Sequence, residues 1–183
     1  MQIDKRISKV VFSEQMINAK IKELAAWINQ TYANSKNLIL IGLLKGAIPF
    51  LAALIKDITV DHKLDFIVAS SYQGQTNSSG NVKIIMDLDA DVKDMDILIV
   101  EDISDSGITL TKIKANLWAR NPRSVKIMTL LDKPYKRKTD LKVDVCGFEA
   151  PDEFLGGLGL DVTEKVRNLP YIGVFDPKYL DEL

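Results

Sequence analysis

The segment from Ile97 to Leu110, with the sequence ILIVEDISDSGITL, constrains the fold of this chain more than any other. It begins with an apolar run typical of a buried strand and ends in residues typical of an apolar-periodic helix. Between them, three carboxylates fall within five residues, at Glu101, Asp102 and Asp105. Acids there are unfavourable for folding alone, but ligands of open α/β sheets bind at the carboxyl ends of the strands. The segment therefore predicts a ligand site at that edge.

The small residues between this strand and helix indicate what the ligand carries. Serine, glycine and threonine at positions 104–109 leave backbone N–H groups free to hold an anion at the helix start. No Gly-Lys-Ser/Thr follows the glycine, so the loop is not the phosphate loop of nucleoside triphosphatases. Carboxylates beside a phosphate cradle predict a phosphorylated sugar. Spacing alone leaves open the alternative of a capped strand-to-helix loop with solvated acids.

The rest of the chain alternates apolar strands with amphipathic helices, which predicts an α/β fold with a mostly parallel central sheet. Its 183 residues are expected to form one domain, residues 1–183. Residues 73–81 are a polar loop, and residues 87–96 are an acid-rich connection expected to be a solvated turn. The predicted helices are 14–33, 46–58 and 110–121, and the predicted strands are 38–41, 64–71, 82–86, 97–100, 125–131, 143–148 and 171–175.

Charge and cysteine content limit the partners and the compartment. Lys and Arg number 24 against 25 Asp and Glu, so the net charge of −1 gives no broad attraction to nucleic acid or membranes. The single cysteine, Cys146, cannot form an internal disulfide, and its apolar neighbours predict a buried thiol. Lys45, two glycines and a proline interrupt the apolar stretch 38–55, which argues against a membrane span. The N-terminus lacks the apolar core of a signal peptide, so we expect a cytoplasmic protein.

Residues 100–110 resemble the phosphoribosyl pyrophosphate (PRPP) binding motif of type I phosphoribosyltransferases, in which two acids precede Asp-Ser/Thr-Gly-x-Thr. In detail they are similar to the hypoxanthine/guanine branch, and the resemblance runs from about residue 8 to 176 through four motifs. It implies that Glu101 and Asp102 engage the ribose hydroxyls or their magnesium ion. Asp105 would also face purine N7 as proton acceptor. The residues implied to bind the ribose and its 5′-phosphate also include Ser104, Asp105, Ser106, Gly107, Ile108 and Thr109.

Two positions in this loop depart from the family pattern. Ser104 stands where the family usually has an apolar residue, and Ser106 stands where threonine is commoner. We expect Ser104 to loosen the packing of the loop without affecting the chemistry of the ligand.

The second and third motifs of the resemblance are Leu43-Leu44-Lys45-Gly46 and Ser70-Ser71-Tyr72. By itself, a lysine between a buried strand and a helix needs either an anionic partner or a route to solvent. The resemblance implies that Lys45 and Gly46 bind pyrophosphate, often with a strained or cis peptide at Leu44–Lys45. Ser71 and Tyr72 would begin a lid over the reacting centre, whereas composition alone allows a plain surface loop. Val68 and Ala69 lack the basic residues that some relatives carry before the lid.

The fourth motif lies near the C-terminus. The resemblance implies that Lys133 donates to the purine 6-oxo oxygen, that Phe154 stacks on the purine and that Leu155 supplies backbone contacts. Asp161 would serve a second magnesium ion or its waters, and Arg167 would contact pyrophosphate. Without the resemblance, Lys133 reads as part of a basic turn, Phe154 as a core aromatic, and the other two as surface charges.

The resemblance implies a type I phosphoribosyltransferase fold with a small hood made by the chain termini. The expected reaction moves the 5-phosphoribosyl group from PRPP to N9 of hypoxanthine or guanine, giving IMP or GMP and pyrophosphate. Asp105 is the expected catalytic base, and Mg²⁺ held by Glu101, Asp102 and Asp161 is the expected cofactor. The resemblance also suggests a homodimer or homotetramer. The alternatives are a PRPP-sensing regulator that binds RNA or DNA, which should carry a basic face, and a transferase for adenine or xanthine.

Overall fold

The computed structural model describes residues 3–71 and 82–182, which form two β-sheets with three α-helices. Short 3-10 turns at Ile55–Asp57, Pro134–Lys136 and Pro177–Glu182 accompany them. In chain order the elements are β1 (Ile7–Phe12), α1 (Glu14–Thr31), β2 (Leu38–Leu44), α2 (Ala47–Leu54), β3 (His62–Ser71), β4 (Val82–Met86), β5 (Asp96–Ser104), α3 (Ile108–Trp118), β6 (Ser124–Asp132), β7 (Val145–Glu149), β8 (Leu155–Gly156) and β9 (Ile172–Phe175).

The larger sheet has six strands in the order β4-β3-β2-β5-β6-β7. All its neighbouring strands are parallel except β4, which pairs antiparallel with β3. The smaller sheet is antiparallel and has the order β1-β9-β8, so it joins the two ends of the chain. The predicted α/β fold with a mostly parallel sheet and a hood from the chain termini is confirmed.

The central strands are apolar on both faces because helices cover both sides of the sheet. Leu38 and Leu40 of β2 pack in one cluster with residues of α1 and α2. Ile39 and Ile41 of the same strand pack in a second cluster with residues of α3. This burial fixes β2 and β5 side by side at the centre of the sheet, so their carboxyl ends open at one edge.

Three expectations differ from the structure. The helix after β2 ends at Leu54 and continues only as a 3-10 turn. The connection 87–96 is not a plain solvated turn, because Val92 and Met95 are buried and Asp96 is the first residue of β5. Cys146 is exposed rather than buried, since β7 is the outermost strand of its sheet. The expected polar loop at 73–81 lies outside the described residues.

Candidate active site

The phosphate loop, residues 104–109, joins the end of β5 to the start of α3 at the carboxyl edge of the larger sheet. The N–H groups in the first turn of a helix have no intrahelical acceptor and are available to an anion. A cavity of about 240 Å³ opens over them. Its lining consists of Ala69, Glu101, Ile103, Ser104, Asp105, Ser106, Gly107, Thr109 and Leu110.

The carboxylates of Glu101 and Asp102 are shielded from solvent. Asp102 is buried, and Oε2 of Glu101 is a buried atom without a hydrogen-bond partner. Burial, together with the neighbouring charge of Asp102, raises the pKa of Glu101 well above its usual value. Burial raises the pKa of Asp102 to about 6, against the opposing effect of a hydrogen bond from the backbone N–H of Ile103. Such groups are stabilised when a cation or a hydroxyl donor reaches them.

Gly46 lies directly against this acidic pair. A Cβ atom added at Gly46 would be 1.9 Å from Oδ2 of Asp102, so only glycine permits the approach. The preceding peptide bond, Leu44–Lys45, is cis. Because Gly46 contacts Asp102, the loop after β2 brings Lys45 to the same edge as Asp102.

Lys45 and Arg167 meet at a residue that the sequence prediction missed, Glu164. Its Oε2 accepts hydrogen bonds from Nζ of Lys45 at 3.0 Å and from Nη2 of Arg167 at 2.9 Å. Arg167 Nη2 also lies 2.9 Å from Oδ1 of Asp161, and Nη1 donates to the carbonyl of Gly159 at 2.7 Å. The two cations expected to bind pyrophosphate thus lie close together, with a carboxylate between them.

A second cavity, of about 230 Å³, lies between the end of β5 and the hood. Lys133 follows β6 and is only 5% exposed, and its Nζ donates to the carbonyl of Glu153 at 2.8 Å. Burial is the main cause that lowers the pKa of Lys133, and the charge of Lys136 adds to it. Phe154 is 54% exposed, which excludes the core-aromatic alternative. The lining consists of Asp102, Ile103, Asp105, Lys133, Phe154, Leu155, Leu160 and Asp161.

Arg137 supports the phosphate loop from behind and is the second residue that the sequence prediction missed. Its guanidinium donates to Oγ of Ser104, to the carbonyl of Asp105 at 2.9 Å and to the carboxylate of Asp132. Rather than loosening the loop, Ser104 is 1% exposed and hydrogen-bonded. Its position was the available signal, because a buried hydroxyl where the family has an apolar residue needs a polar partner.

The two cavities share Ile103 and Asp105. The structure therefore brings together the predicted residues of the phosphate loop, the acidic pair and the purine side, and it places Asp105 between the two cavities. Lys45 and Arg167 join them across Glu164. Ser71 is the last residue of β3, and Tyr72 lies outside the described residues.

The chain is similar to known proteins over most of its length. Residues 11–163 match the model of the phosphoribosyl transferase domain family. The hypoxanthine-guanine phosphoribosyltransferase of Bacillus subtilis is 53% identical over 171 residues, covering 93% of this chain and 94% of that protein. The hypoxanthine phosphoribosyltransferase of Buchnera aphidicola is 47% identical over 170 residues, covering 92% and 96%. The crystal structure of a hypoxanthine phosphoribosyltransferase from Staphylococcus aureus superimposes with a TM-score of 0.90 at 42% identity, covering 94% of each chain.

Within the described residues, none of the helices has the length and apolar character needed to cross a membrane.

Proposed function

We propose that this chain, which belongs to the phosphoribosyl transferase family, moves the 5-phosphoribosyl group of PRPP to N9 of hypoxanthine or guanine. It is a PRPP-dependent transferase of purine salvage. The products are IMP or GMP and pyrophosphate. One observation carries this proposal: a cavity over an anion-binding loop and a cavity beside Lys133 and Phe154 meet at Asp105. A sugar phosphate in the first and a base in the second would face each other there.

In this proposal the phosphate loop binds PRPP through its 5′-phosphate. The backbone N–H groups and hydroxyls of residues 104–109 donate to the phosphate oxygens. Glu101 and Asp102 accept hydrogen bonds from the ribose hydroxyls or hold the magnesium ion that accompanies them. Lys45, Gly46 and Arg167 contact the pyrophosphate group. Holding the sugar from both ends fixes its C1 atom for attack.

The residues present fit a magnesium ion at the acidic pair. Oε2 of Glu101 is buried without a partner, and burial raises the pKa of both carboxyls, which a nearby cation would reverse. When bound, Mg²⁺ would neutralise charge on the pyrophosphate as it leaves. Among residues 3–71 and 82–182, no group of three or more His, Cys, Asp or Glu is placed to hold a metal. Oxygens of PRPP and water would therefore complete the coordination.

Asp161 has a different setting from the acidic pair. Its Oδ1 is paired with Arg167, and its Oδ2 accepts from the backbone N–H of Glu164 at 2.8 Å. Both oxygens already have partners, so we propose that Asp161 acts on a second magnesium ion through the waters of that ion.

The purine cavity favours a 6-oxopurine. An ammonium group has three N–H donors, and Nζ of Lys133 donates one hydrogen bond to the carbonyl of Glu153. The others remain for the 6-oxo oxygen of hypoxanthine or guanine, whereas the 6-amino group of adenine would place donor against donor. The exposed ring of Phe154 offers a stacking surface, and Leu155 offers backbone contacts.

The reaction forms the bond between N9 and C1 of ribose and breaks the bond between C1 and the pyrophosphate oxygen. Asp105 accepts the purine proton at N7 as the new bond forms. Because the sugar carbon becomes cation-like, water must be kept away from it. We propose that Ser71 and Tyr72 start the lid that does so.

Compartment, domain content and assembly are also proposals. Residues 45 to 167 contribute to one site, so we propose that residues 1–183 act as a single phosphoribosyltransferase domain.

We propose a homodimer or homotetramer, which is supported by exposed apolar side chains at Leu64, Ile85 and Met86 on β3 and β4. Light scattering after size-exclusion chromatography tests this. A lone thiol fits the reducing cytoplasm, where we expect subcellular fractionation to find the enzyme.

The testing experiment measures pyrophosphate release with PRPP, magnesium and each of hypoxanthine, guanine, xanthine and adenine separately. We expect release with hypoxanthine or guanine and little with adenine. Release with none of the four bases would contradict the proposal. Binding to RNA without turnover of any purine would instead favour a PRPP-sensing regulator.

A further inference from the structure

We propose that Glu164 competes with pyrophosphate for Lys45 and Arg167, and that this competition weakens the hold of the site on pyrophosphate. The inference rests on the proposed function, because it assigns the two cations to the pyrophosphate group. It adds a residue whose role is to limit affinity rather than to increase it.

The geometry of Glu164 is that of an anionic ligand. A single oxygen, Oε2, accepts from Nζ of Lys45 at 3.0 Å and from Nη2 of Arg167 at 2.9 Å. Lysine and arginine hold a phosphate oxygen through the same donors. Arg167 also donates from Nη1 to the carbonyl of Gly159. Pyrophosphate can therefore engage both cations fully only if the Glu164 carboxylate moves away.

The turn that carries Glu164 fixes the carboxylate at this position. Val162 and Lys165 exchange backbone hydrogen bonds of 3.2 and 3.0 Å around the two residues at its tip. Thr163 and Glu164 both have left-handed φ angles, 48° and 67°, as in a tight two-residue hairpin turn. The backbone N–H of Glu164 also donates to Asp161. The turn therefore keeps the backbone of Glu164 within reach of both cations.

The charge balance gives the competition its direction. Hydrogen bonds from Arg167 and Lys45 lower the pKa of Glu164, so its carboxylate is ionised at neutral pH. The ionised carboxylate repels pyrophosphate, and it also occupies the N–H donors of Lys45 and Arg167 that pyrophosphate would use. Asp161, which is bound to the same guanidinium, adds to the negative charge. Removing the charge of Glu164 should therefore strengthen pyrophosphate binding.

The cations themselves do not depend on Glu164 for their proximity. Gly159 packs against the backbone of Gly46, where an added Cβ would lie 2.0 Å from the Gly46 carbonyl oxygen. This contact holds the loop of Lys45 against the segment that leads to Arg167. Neutralising Glu164 therefore leaves the two segments together and frees the donors of Lys45 and Arg167 that its carboxylate occupied.

The experiment compares Glu164→Gln with wild type by titration calorimetry with inorganic pyrophosphate at one fixed magnesium concentration. Two exposed ion pairs are lost, so we expect pyrophosphate to bind about three- to tenfold more tightly. We also expect a lower KM for PRPP. Glu23→Gln is the matched control, because it removes the same charge from an exposed ion pair with Lys20 on α1. Its affinity for pyrophosphate should equal that of wild type.

Equal or weaker pyrophosphate binding by Glu164→Gln would overturn the inference, since it would mean that Glu164 orients the cations. Glu164→Asp provides a second check, because its shorter side chain keeps the charge but withdraws it from the cations. It should bind pyrophosphate with an affinity between those of wild type and Glu164→Gln, and an affinity below wild type would count against competition. Failure of the proposed function has a different signature, namely no pyrophosphate binding by wild type and no turnover of any purine.

Discussion

At the scale of single residues, the three carboxylates near the end of β5 differ in their surroundings. The carboxylates of Glu101 and Asp102 are shielded from solvent at the end of the strand. Asp105 is exposed in the loop between the two cavities. Burial raises the pKa values of the first two. These different surroundings support the proposal that the first two serve the sugar and that Asp105 serves the base.

Asp105→Asn tests the role of the exposed carboxylate. We expect turnover to fall by about a hundred- to ten-thousandfold, because an amide cannot take a proton from the purine. The KM for PRPP should change little, because the loop binds phosphate mainly through backbone N–H groups. Steady-state kinetics with hypoxanthine and guanine check both quantities. Unchanged turnover would exclude Asp105 as the base.

Asp102→Asn tests the cost of burying a carboxylate. Since burial raises the folded-state pKa from 3.8 to about 6, the folded protein binds the proton more tightly than the unfolded chain. The contribution of Asp102 to stability is therefore most favourable below pH 4 and is lost as the pH rises through 6. We expect the variant to gain about 1–3 kcal/mol in unfolding free energy at pH 8, and nothing at pH 4. PRPP binding should weaken.

Urea unfolding at pH 4 and pH 8 measures this difference, and Asp105→Asn controls for the loss of one negative charge at an exposed position. A variant that is less stable than wild type at pH 8 would contradict the expectation. It would show that Asp102 has a stabilising partner in the folded protein.

The residues that sequence reasoning missed are those whose contacts are distant along the chain. Glu164 meets Lys45 across 119 positions, and Arg137 meets Ser104 across 33. Glu164 and Arg137 do not belong to a local sequence pattern from which their contacts could be predicted. In contrast, the acids and the small residues of 101–109 are adjacent in sequence, so their position together at the edge of the sheet was predictable.

At the scale of elements, the strands of the larger sheet were predictable, whereas β1 and β8 of the smaller sheet were not. The runs LILI in β2 and ILIV in β5 have no polar residue, as expected of strands covered on both sides. β1 mixes polar and apolar residues, and β8 has only two residues, so neither carries a strong periodic signal. Both pair with β9, a contact that only the complete fold reveals.

Arg137 joins two elements, because it ties the connection after β6 to the loop after β5. We expect Arg137→Lys to raise the KM for PRPP about tenfold, because lysine keeps the charge but cannot hold several acceptors in a fixed fork. Stability should fall by about 1–2 kcal/mol through the weakened contacts with Asp132 and Ser104. Lys138→Ala is the control, since only the backbone N–H of Lys138 contacts the phosphate loop, at the carbonyl of Ser106. An unchanged KM for PRPP would contradict a positioning role.

Asp96 holds three elements together at the opposite edge of the sheet from the site. It starts β5 and accepts hydrogen bonds from Ser35, Arg123 and Ser124. The hydrogen bond from Arg123 is the main cause that lowers the pKa of Asp96 to about 2. Its contribution to stability is therefore present above pH 4 and is lost as the pH falls towards 2.

We expect Asp96→Asn to lower the unfolding free energy at pH 7 by about 2 kcal/mol and to unfold with the same free energy as wild type near pH 2. Kinetic constants should not change, since the substitution lies at the far edge of the sheet. Denaturant unfolding at both pH values checks the stability. A difference that stays constant down to pH 2 would show that packing, not the ionised pair, is lost.

At the scale of the whole molecule, the two cavities of the site differ in the sheets that build them. One lies over the phosphate loop, and the other lies beside Lys133 and Phe154. The phosphate loop and the acidic pair follow β5, at the centre of the larger sheet. The cavity beside Lys133 and Phe154 is completed by the hood, whose strands come from both ends of the chain. Local patterns predicted that the phosphate loop and the acidic pair lie together at the sheet edge, because their residues are adjacent in sequence. The second cavity required the long-range pairing that brings Phe154 beside β9.

The pairing of β1 with β9 joins residues made early in protein synthesis to residues made late. The N–H of Phe175 donates to the carbonyl of Phe154 at 2.8 Å, and their rings meet edge to face at 6.1 Å. A growing chain can complete the central strands and its phosphate loop long before Phe175 leaves the ribosome. We therefore expect the phosphate loop of a growing chain to fold before the cavity beside Phe154 is complete.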